Sequence, residues 1–364
     1  MIKIASRKSL RAVVDWLQIR IVEMEFEEIS RNILGIPEEY FNPENGRLQH
    51  YNYDFCYRFG DIRIYGYLEG TYTDKMLVLS GSACEWFREN WLKQKKLSFK
   101  LFMKNLLIYK DMVTITRLDI AIDDFNEKPF FTPTQLTKIC KKKQFVYGKS
   151  TNYLPYGDEQ TGATLYLKPP TADDRLKFYD KQAELAKKQG LRKKDLPPQV
   201  RTEILFRREK AHEFFLTYIH SNKSLLVLFQ SYLKEKVKFY SDQNFQVPLK
   251  KWQDFLGSVE PFKLSLPKEK ISLFRKIHWL IHGGGLAVYK AVKFLEQNDV
   301  FPVELEKIAY QYVEYPPELS NELKKYVTSI NREDLIEKIN SDTKKIKLNR
   351  RIDKNGKNVS TERL

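Results

Sequence analysis

With 364 residues, 42% of them apolar and 13% aromatic, the chain has the material for a sizeable core and for two or three domains. Its 63 Lys and Arg against 47 Asp and Glu leave a net charge of +16, which points to a polyanionic partner without separating DNA from RNA or anionic lipid. No apolar run approaches the ~18 residues of a membrane span and Met1 to Lys8 lacks the apolar core of a signal peptide, so a cytoplasmic protein with no membrane partner is expected.

In chain order, Val13 to Val22 reads as a strand and Phe26 to Leu34 as a short helix closed by Gly35. Tyr51 to Phe59 and Asp61 to Leu68 alternate aromatic with polar residues and meet at Gly60-Asp61, the pattern of a hairpin. Lys75 to Leu79 is a further strand, after which Ser82 is placed to cap a helix running through Trp86, Phe87 and Trp91. A second series begins with the strand Val113 to Asp124. Thr132 as N-cap and Pro133 at the first helical position then open a helix that ends in Lys141-Lys142-Lys143. Thr164 to Leu167 and Leu176 to Tyr179 read as short strands. Asp180 to Gln189 is a helix, Val200 to Arg207 a strand, and a helix follows from about Glu209 to Ile219.

The order strand, helix, hairpin strands, helix thus occurs twice. It predicts an α+β fold of two similar halves of mainly antiparallel sheet with packed helices, 1–105 and 106–235. Beyond Lys234 helical periodicity takes over, with Trp252, Phe255, Phe274, Ile277, Trp279 and Leu280, then Leu286 to Leu295 after the glycines 283–285. This predicts a helical DNA-recognition domain over 236–342. The glycine triplet reads as a turn, since no G-K-[ST] follows it. The polar tail 343–364 carries eight Lys and Arg, among them Lys344, Lys345, Lys347, Arg350 and Arg351, against Asp353 and Glu362, and binds nucleic acid through phosphate charge.

The chemistry concentrates on two strands. From Arg117 to Asp123 the chain alternates strictly, with Leu118, Ile120 and Ile122 on one side and Arg117, Asp119, Ala121 and Asp123 on the other. Arg201, Glu203, Leu205 and Arg207 repeat the device. If the two strands lie side by side, Asp119 and Glu203 converge on one hard cation. Three Cys (Cys56, Cys84, Cys140) without C-x-x-C spacing, and five His without H-x-H, argue against zinc and leave carboxylates to hold Mg²⁺ or Mn²⁺. His278 and His282 stand four apart in a helical pattern with no acid nearby and read as structural or phosphate-facing. Asp123 lies about 13 Å from Asp119 along an unbent strand, so it serves the metal only if the strand bends, or else supports its ligands. A salt-bridge ladder of Arg117 and Arg201 with these same acids is the bland alternative.

Cleaving a phosphodiester by transesterification needs a nucleophile and neutralisation of the phosphate. Of the 21 tyrosines, Tyr179 stands out: it ends a basic strand carrying Arg175 and Lys177, both candidate DNA contacts, and precedes Asp180. A phosphate on its hydroxyl would lie at a helix N-terminus beside Lys181, with Arg117 and Arg201 as the other neutralising groups. Tyr166 is the competing nucleophile, flanked by Leu165 and Leu167.

Four stretches resemble the replication-initiator and relaxase family of Gram-positive rolling-circle plasmids and conjugative elements. They are Asp15-Trp-Leu-Gln18, Leu77-Val-Leu-Ser-Gly-Ser-Ala-Cys84, Thr116-Arg-Leu-Asp-Ile-Ala-Ile-Asp-Asp124, and Arg175-Leu-Lys-Phe-Tyr-Asp-Lys181 followed by Arg201-Thr-Glu203. The resemblance covers roughly residues 10 to 220. It implies a strand transferase that nicks an origin and becomes linked to the 5′-phosphate through a tyrosine, in a family that differs from the His-hydrophobe-His nickases. It also implies origin DNA as partner, double-stranded or cruciform and single-stranded at the nick, together with a homodimer and a host helicase. Where members usually have a Gly-Ser-Arg-like segment, this chain has Lys168-Pro-Pro-Thr-Ala-Asp173. A conjugative relaxase shares the same chemistry, and a non-catalytic DNA-binding regulator remains the alternative of another class.

Overall fold

The computed structural model describes residues 10–48, 51–68, 73–264, 276, 280, 285–298, 305–313, 315–329 and 332–342. The chain forms two compact units, Met1–Leu266 and Pro267–Leu364. In the first, β1 (Leu10–Ile21) leads into α1 (Phe26–Glu28, continuing as a wider π-helical turn over Ile29–Leu34). Three short strands follow, β2 (Asn42–Glu44), β3 (Phe55–Phe59) and β4 (Ile62–Gly66), then β5 (Lys75–Leu79). Gly35 closes α1 and Gly60 turns β3 into β4, both with φ in the left-handed region that a side chain disfavours. Next come α2 (Gly81–Trp86, continuing over Phe87–Leu92) and α3 (Phe99–Asn105).

The second series repeats the first. β6 (Val113–Asp124) precedes α4 (Pro133–Lys141), then β7 (Phe145–Tyr147), β8 (Tyr153–Tyr156), β9 (Thr164–Leu167) and β10 (Asp174–Asp180). α5 (Lys181–Gln189), β11 (Val200–Arg207), α6 (Arg208–His220) and α7 (Leu225–Lys236) follow. A short β12 (Val237–Phe239) pairs with β7, and α8 (Lys250–Leu256) completes the unit.

Ten strands join one sheet in the order β2-β3-β4-β5-β1-β6-β11-β10-β9-β8. Every neighbouring pair in it is antiparallel. Each half sets its first strand at the centre and counts its remaining strands inward from its own edge. The two predicted halves are thus the two wings of a single sheet, joined where β1 meets β6. Both edge strands carry a proline, Pro43 in β2 and Pro155 in β8.

One face of this sheet is apolar from wing to wing. Leu17, Ile64, Leu77, Ile120, Ile204, Phe178 and Leu165 pack beneath helix residues such as Ile33, Phe87, Leu136, Phe214 and Phe229 in one core. The opposite face differs between the wings. In the first wing Tyr53, Cys56, Tyr65, Met76 and Val78 form a small cluster with Trp16 and Tyr67. In the second wing that face carries charges.

Expectations shift in several places: β1 begins at Leu10 and not at Val13, and β3 at Phe55 and not at Tyr51. The boundary drawn at residue 236 moves to Leu266, because Val237, Phe239, Trp252 and Phe255 are buried in the core of the first unit. Burying side chains of this size contributes about 2–3 kcal/mol each, which holds the segment there. Ser82 does not cap α2: the cap position falls on Ser80, and the Ser82 hydroxyl donates to Asp61 Oδ2 at 2.5 Å instead. The strand expected from Leu176 starts at Asp174. Thr132 does cap α4, with Gln135 answering in a capping box.

The second unit is helical over Gly285–Gln297, Leu305–Tyr312, Pro317–Ser329 and Ile336–Asp342. Lys293 ties the first two of these through Glu296 and Glu306, and Lys276 pairs with Glu322 at 2.9 Å. Phe274, Ile277, Trp279, His278, His282, Gly283 and Gly284 lie outside the described residues, as do Lys344, Lys345, Lys347, Arg350 and Arg351 of the tail.

Candidate active site

The charged face is assembled by register. β6 lies between β1 and β11, so that Trp16 stands opposite Asp119 and Glu203 opposite Ala121. β10 then sets Lys177 opposite Glu203 and Tyr179 opposite Arg201. Asp119 and Glu203 are therefore diagonal neighbours on paired strands, with the small Ala121 beside them. Side chains directly opposite share a face, so Arg117, Asp119, Asp123, Arg201, Glu203, Arg175, Lys177 and Tyr179 all project to one side.

Tyr179 is 4% exposed, and its hydroxyl donates to Glu203 Oε2 at 2.9 Å. Lys177 Nζ lies 3.7 Å from the centre of the Tyr179 ring and Lys181 Nζ 5.6 Å from it. Asp180, the next residue, caps α5 by accepting from Ala183 N at 2.9 Å. The tyrosine therefore ends its strand directly before a helix N-terminus. Lys181 pairs with Glu184 at 2.6 Å.

Two arginine clamps organise the acids. Arg117 grips Asp119 through Nε at 3.0 Å and Nη2 at 2.6 Å, while its guanidinium stacks 4.1 Å over the Trp16 ring. Arg201 grips Asp123 through Nε at 2.6 Å and Nη2 at 2.8 Å. The third arm of Arg201 reaches Asp15 Oδ1 at 2.6 Å. Asp123 is thus committed to orienting Arg201, on its own clamp and apart from that of Asp119. Both pairs of the salt-bridge ladder are present.

Burial pushes the Asp119 carboxyl up to about 7, and Glu203 and Asp15 add to the rise against the pull of Arg117. Burial also raises Glu203, with Asp15 reinforcing it and Lys177 opposing. The Tyr179 hydroxyl is pushed well above its ordinary range by burial, then by the neighbouring Glu203. Burial is the first cause of the rise at both carboxyls.

Asp15 was absent from the sequence-derived site. The β1–β6 register slips between Val14 and Trp16, which makes Asp15 the extra residue of a β-bulge. Strict alternation would have sent it into the core with Leu17 and Ile19. The apolar phase of β1 does change, from Val14 to Leu17, and that change is the signal for the bulge. Asp15 also opens one of the four stretches that carry the family resemblance.

Tyr166, the rival nucleophile, lies on the same face opposite Lys177, with the Arg175 guanidinium 4.0 Å over its ring. Among the described residues no three His, Cys, Asp or Glu side chains stand at metal-coordinating spacing. The candidate donors are Asp119, both of whose oxygens accept from Arg117, and Glu203, one of whose oxygens accepts from Tyr179. Such a set suits Mg²⁺, which is commonly held by one or two carboxylates and completed by water and substrate phosphate.

The ten-stranded antiparallel sheet of two wings is the fold, and comparison with known proteins agrees with it. The "Replication initiation factor" family model matches residues 113–302, and the model of the "Rolling Circle replication initiation protein N-terminal domain" matches residues 11–105. The chain belongs to the replication initiation factor family. It is 23% identical over 286 residues to a Bacillus subtilis (strain 168) protein described as "Putative DNA relaxase NicK", covering 76% of this chain and 79% of that one. Its fold is similar to the rolling circle replication initiator protein from Geobacillus stearothermophilus, with a TM-score of 0.56 and 24% identity over 70% of this chain and 98% of that one.

Proposed function

We propose that the chain nicks and rejoins one strand of a plasmid replication origin, with Tyr179 as the nucleophile. The observation that carries this reading is the Tyr179–Glu203 hydrogen bond of 2.9 Å, with Glu203 diagonal to Asp119 and the ammonium groups of Lys177 and Lys181 near the tyrosine ring. The phenolic oxygen attacks the scissile phosphorus, the bond to the 3′-oxygen breaks, and the leaving 3′-oxygen takes a proton from water. A 5′-phosphotyrosine and a free 3′-hydroxyl result. Glu203 is placed to accept the phenolic proton and Lys181 to neutralise the phosphate at the mouth of α5. Attack by a 3′-hydroxyl on the same phosphorus reverses the step, so one phosphodiester replaces another and rejoining at termination needs no ATP.

Asp119 and Glu203 would hold Mg²⁺ or Mn²⁺, which when bound supplies charge neutralisation at the phosphate. Arg117 uses Nε and Nη2 for Asp119, which leaves Nη1 for a phosphate oxygen. Arg201 acts by positioning, since Asp123 and Asp15 engage its three arms. Arg175 and Lys177 line the path of the strand. The cruciform, the homodimer and the host helicase belong to this proposal on the family resemblance alone. A conjugative relaxase would use the same site; the two family models support the initiator reading.

A second reading, a DNA-binding regulator without catalysis, is favoured by the Arg117–Asp119 and Arg201–Asp123 ladder. The decisive test is incubation of supercoiled plasmid carrying the cognate origin with protein and Mg²⁺, followed by SDS. The wild type should leave a covalent protein–DNA adduct and open circles. Tyr179→Phe should leave neither while binding the origin nearly as well. An adduct that persists in Tyr179→Phe would move the nucleophile to Tyr166, and no adduct from the wild type would favour the regulator.

A further inference from the structure

Beside Tyr179, on the same face, a cavity of about 360 Å³ is lined by Tyr156, Thr164, Tyr166, Pro170 and Arg175. Register fixes its place: Thr164 stands opposite Tyr179 and Tyr166 opposite Lys177, while Tyr156 stands opposite Thr164 one strand further out. Arg175 precedes Tyr179 by four residues on β10, roughly 13 Å at ~3.3 Å per residue. The cavity therefore begins one strand away from the nucleophile and ends within about two nucleotides' reach of it.

Its walls are flat and π-rich. The Arg175 guanidinium lies 4.0 Å over the Tyr166 ring and is tethered by Nε to Lys168 O at 3.3 Å. Tyr156 meets Tyr166 edge-on, with centroids 5.8 Å apart and planes at 88°, and is itself 56% exposed. A large tyrosine left exposed on an edge strand, next to a guanidinium already stacked on a second tyrosine, has one surface for a further flat ring. Pro170 comes from the loop between β9 and β10 and forms the pocket's outer wall.

We infer that this cavity is a nucleobase subsite: it takes one unpaired base of single-stranded DNA, stacked against Tyr156 and the Tyr166–Arg175 pair, next to the phosphate presented to Tyr179. The placement next to a scissile phosphate rests on the proposed function; base stacking in the cavity does not. An unpaired base seated here would fix the strand's register on the site, while Lys177 and Lys181 contact its backbone. Stacking on aromatic and guanidinium planes is the usual way to hold single strands.

The test measures binding of two single-stranded probes of equal length, oligothymidylate and the same backbone with every base removed, to the full chain carrying Tyr179→Phe. That background should prefer the base-bearing probe roughly tenfold, in line with the contribution of a stacked base. Adding Tyr156→Ala should remove most of the preference and leave the base-free probe bound within about twofold, and Arg175→Lys should likewise remove most of the preference. Arg175→Lys keeps the charge and loses the plane, so a role confined to phosphate would leave the preference intact. A preference retained in both variants, or absent from the Tyr179→Phe background, overturns the subsite. Tyr156 is exposed, so Tyr156→Ala decides alone should Arg175→Lys lower the melting temperature. The adduct assay reads the nicking proposal separately, since neither probe has to be cut.

Discussion

Glu203 sits at the meeting point of two roles, hydrogen-bonded to the Tyr179 hydroxyl and diagonal to Asp119. Glu203→Gln keeps the shape and removes the charge. Nicking should fall roughly 10²–10⁴-fold, the usual worth of a positioned acid–base group, while origin binding measured by anisotropy stays within about threefold. Cleavage at the wild-type rate would remove Glu203 from the chemistry. Asp119→Ala and Glu203→Ala should each also lose the Mg²⁺-dependent cleavage, and two variants that cleave normally in Mg²⁺ would dispose of the carboxylate site. The acids on regular strand positions were readable from alternation alone. Asp15 was not, because a bulge moves one residue across the phase of the strand, and pattern counting assigns such a residue to the wrong face.

Between elements, the second wing is tied to its helices by a buried carboxylate. Asp174, at the start of β10, binds Lys168 Nζ at 2.9 Å, Lys210 Nζ of α6 at 2.7 Å and the Tyr232 hydroxyl of α7 at 2.9 Å. Burial alone would raise this carboxyl, but the bonds from Lys210 and Lys168 outweigh it and hold it below the ordinary carboxylate range. A carboxylate held low in the fold stabilises above its unfolded pKa of about 3.9, and that contribution is lost as pH falls through the lowered value. Asp174→Asn should therefore cost about 3 kcal/mol at neutral pH, chiefly by leaving Lys168 buried without its counter-charge, since Lys210 is more exposed. In urea unfolding the gap between wild type and variant should be widest above about pH 4 and narrow as pH falls through the lowered value. A gap that stays constant from neutral pH down to the acid limit of the fold would mean that packing, and not charge, sets the cost. Strands β5, β6, β9 and β11 were legible to the residue because β-branched alternation and turn residues mark their ends. Ser82 was misread because its hydroxyl found Asp61, 21 residues away in sequence, a partner that local pattern does not reveal.

At the scale of the molecule, the repeated order of elements was legible, whereas their joining into one sheet was not: pairing of β1 with β6 spans about a hundred residues and leaves no local mark. The boundary at Leu266 was missed for a similar reason, since α8 is helical like the second unit but packs backwards onto the core of the first. The helical unit after Leu266 is expected to carry origin specificity, so exchanging it for that of a related initiator should redirect binding to the other origin; an exchanged protein that keeps its original preference would place specificity in the sheet. Removing residues 343–364, net +6, should lower the slope of log K against log salt by up to about 5 and weaken cognate and random duplex alike. An unchanged slope would take the tail out of DNA binding. The prolines of the two edge strands bear on how copies of the protein can meet. A ten-stranded open sheet presents two rims of unpaired backbone, and any strand adding to either would meet a residue with no N–H to offer and a ring in its path. Self-association by running the sheet on from one molecule into the next is therefore obstructed at both ends. A dimer of this chain would have to be built through side-chain surfaces instead.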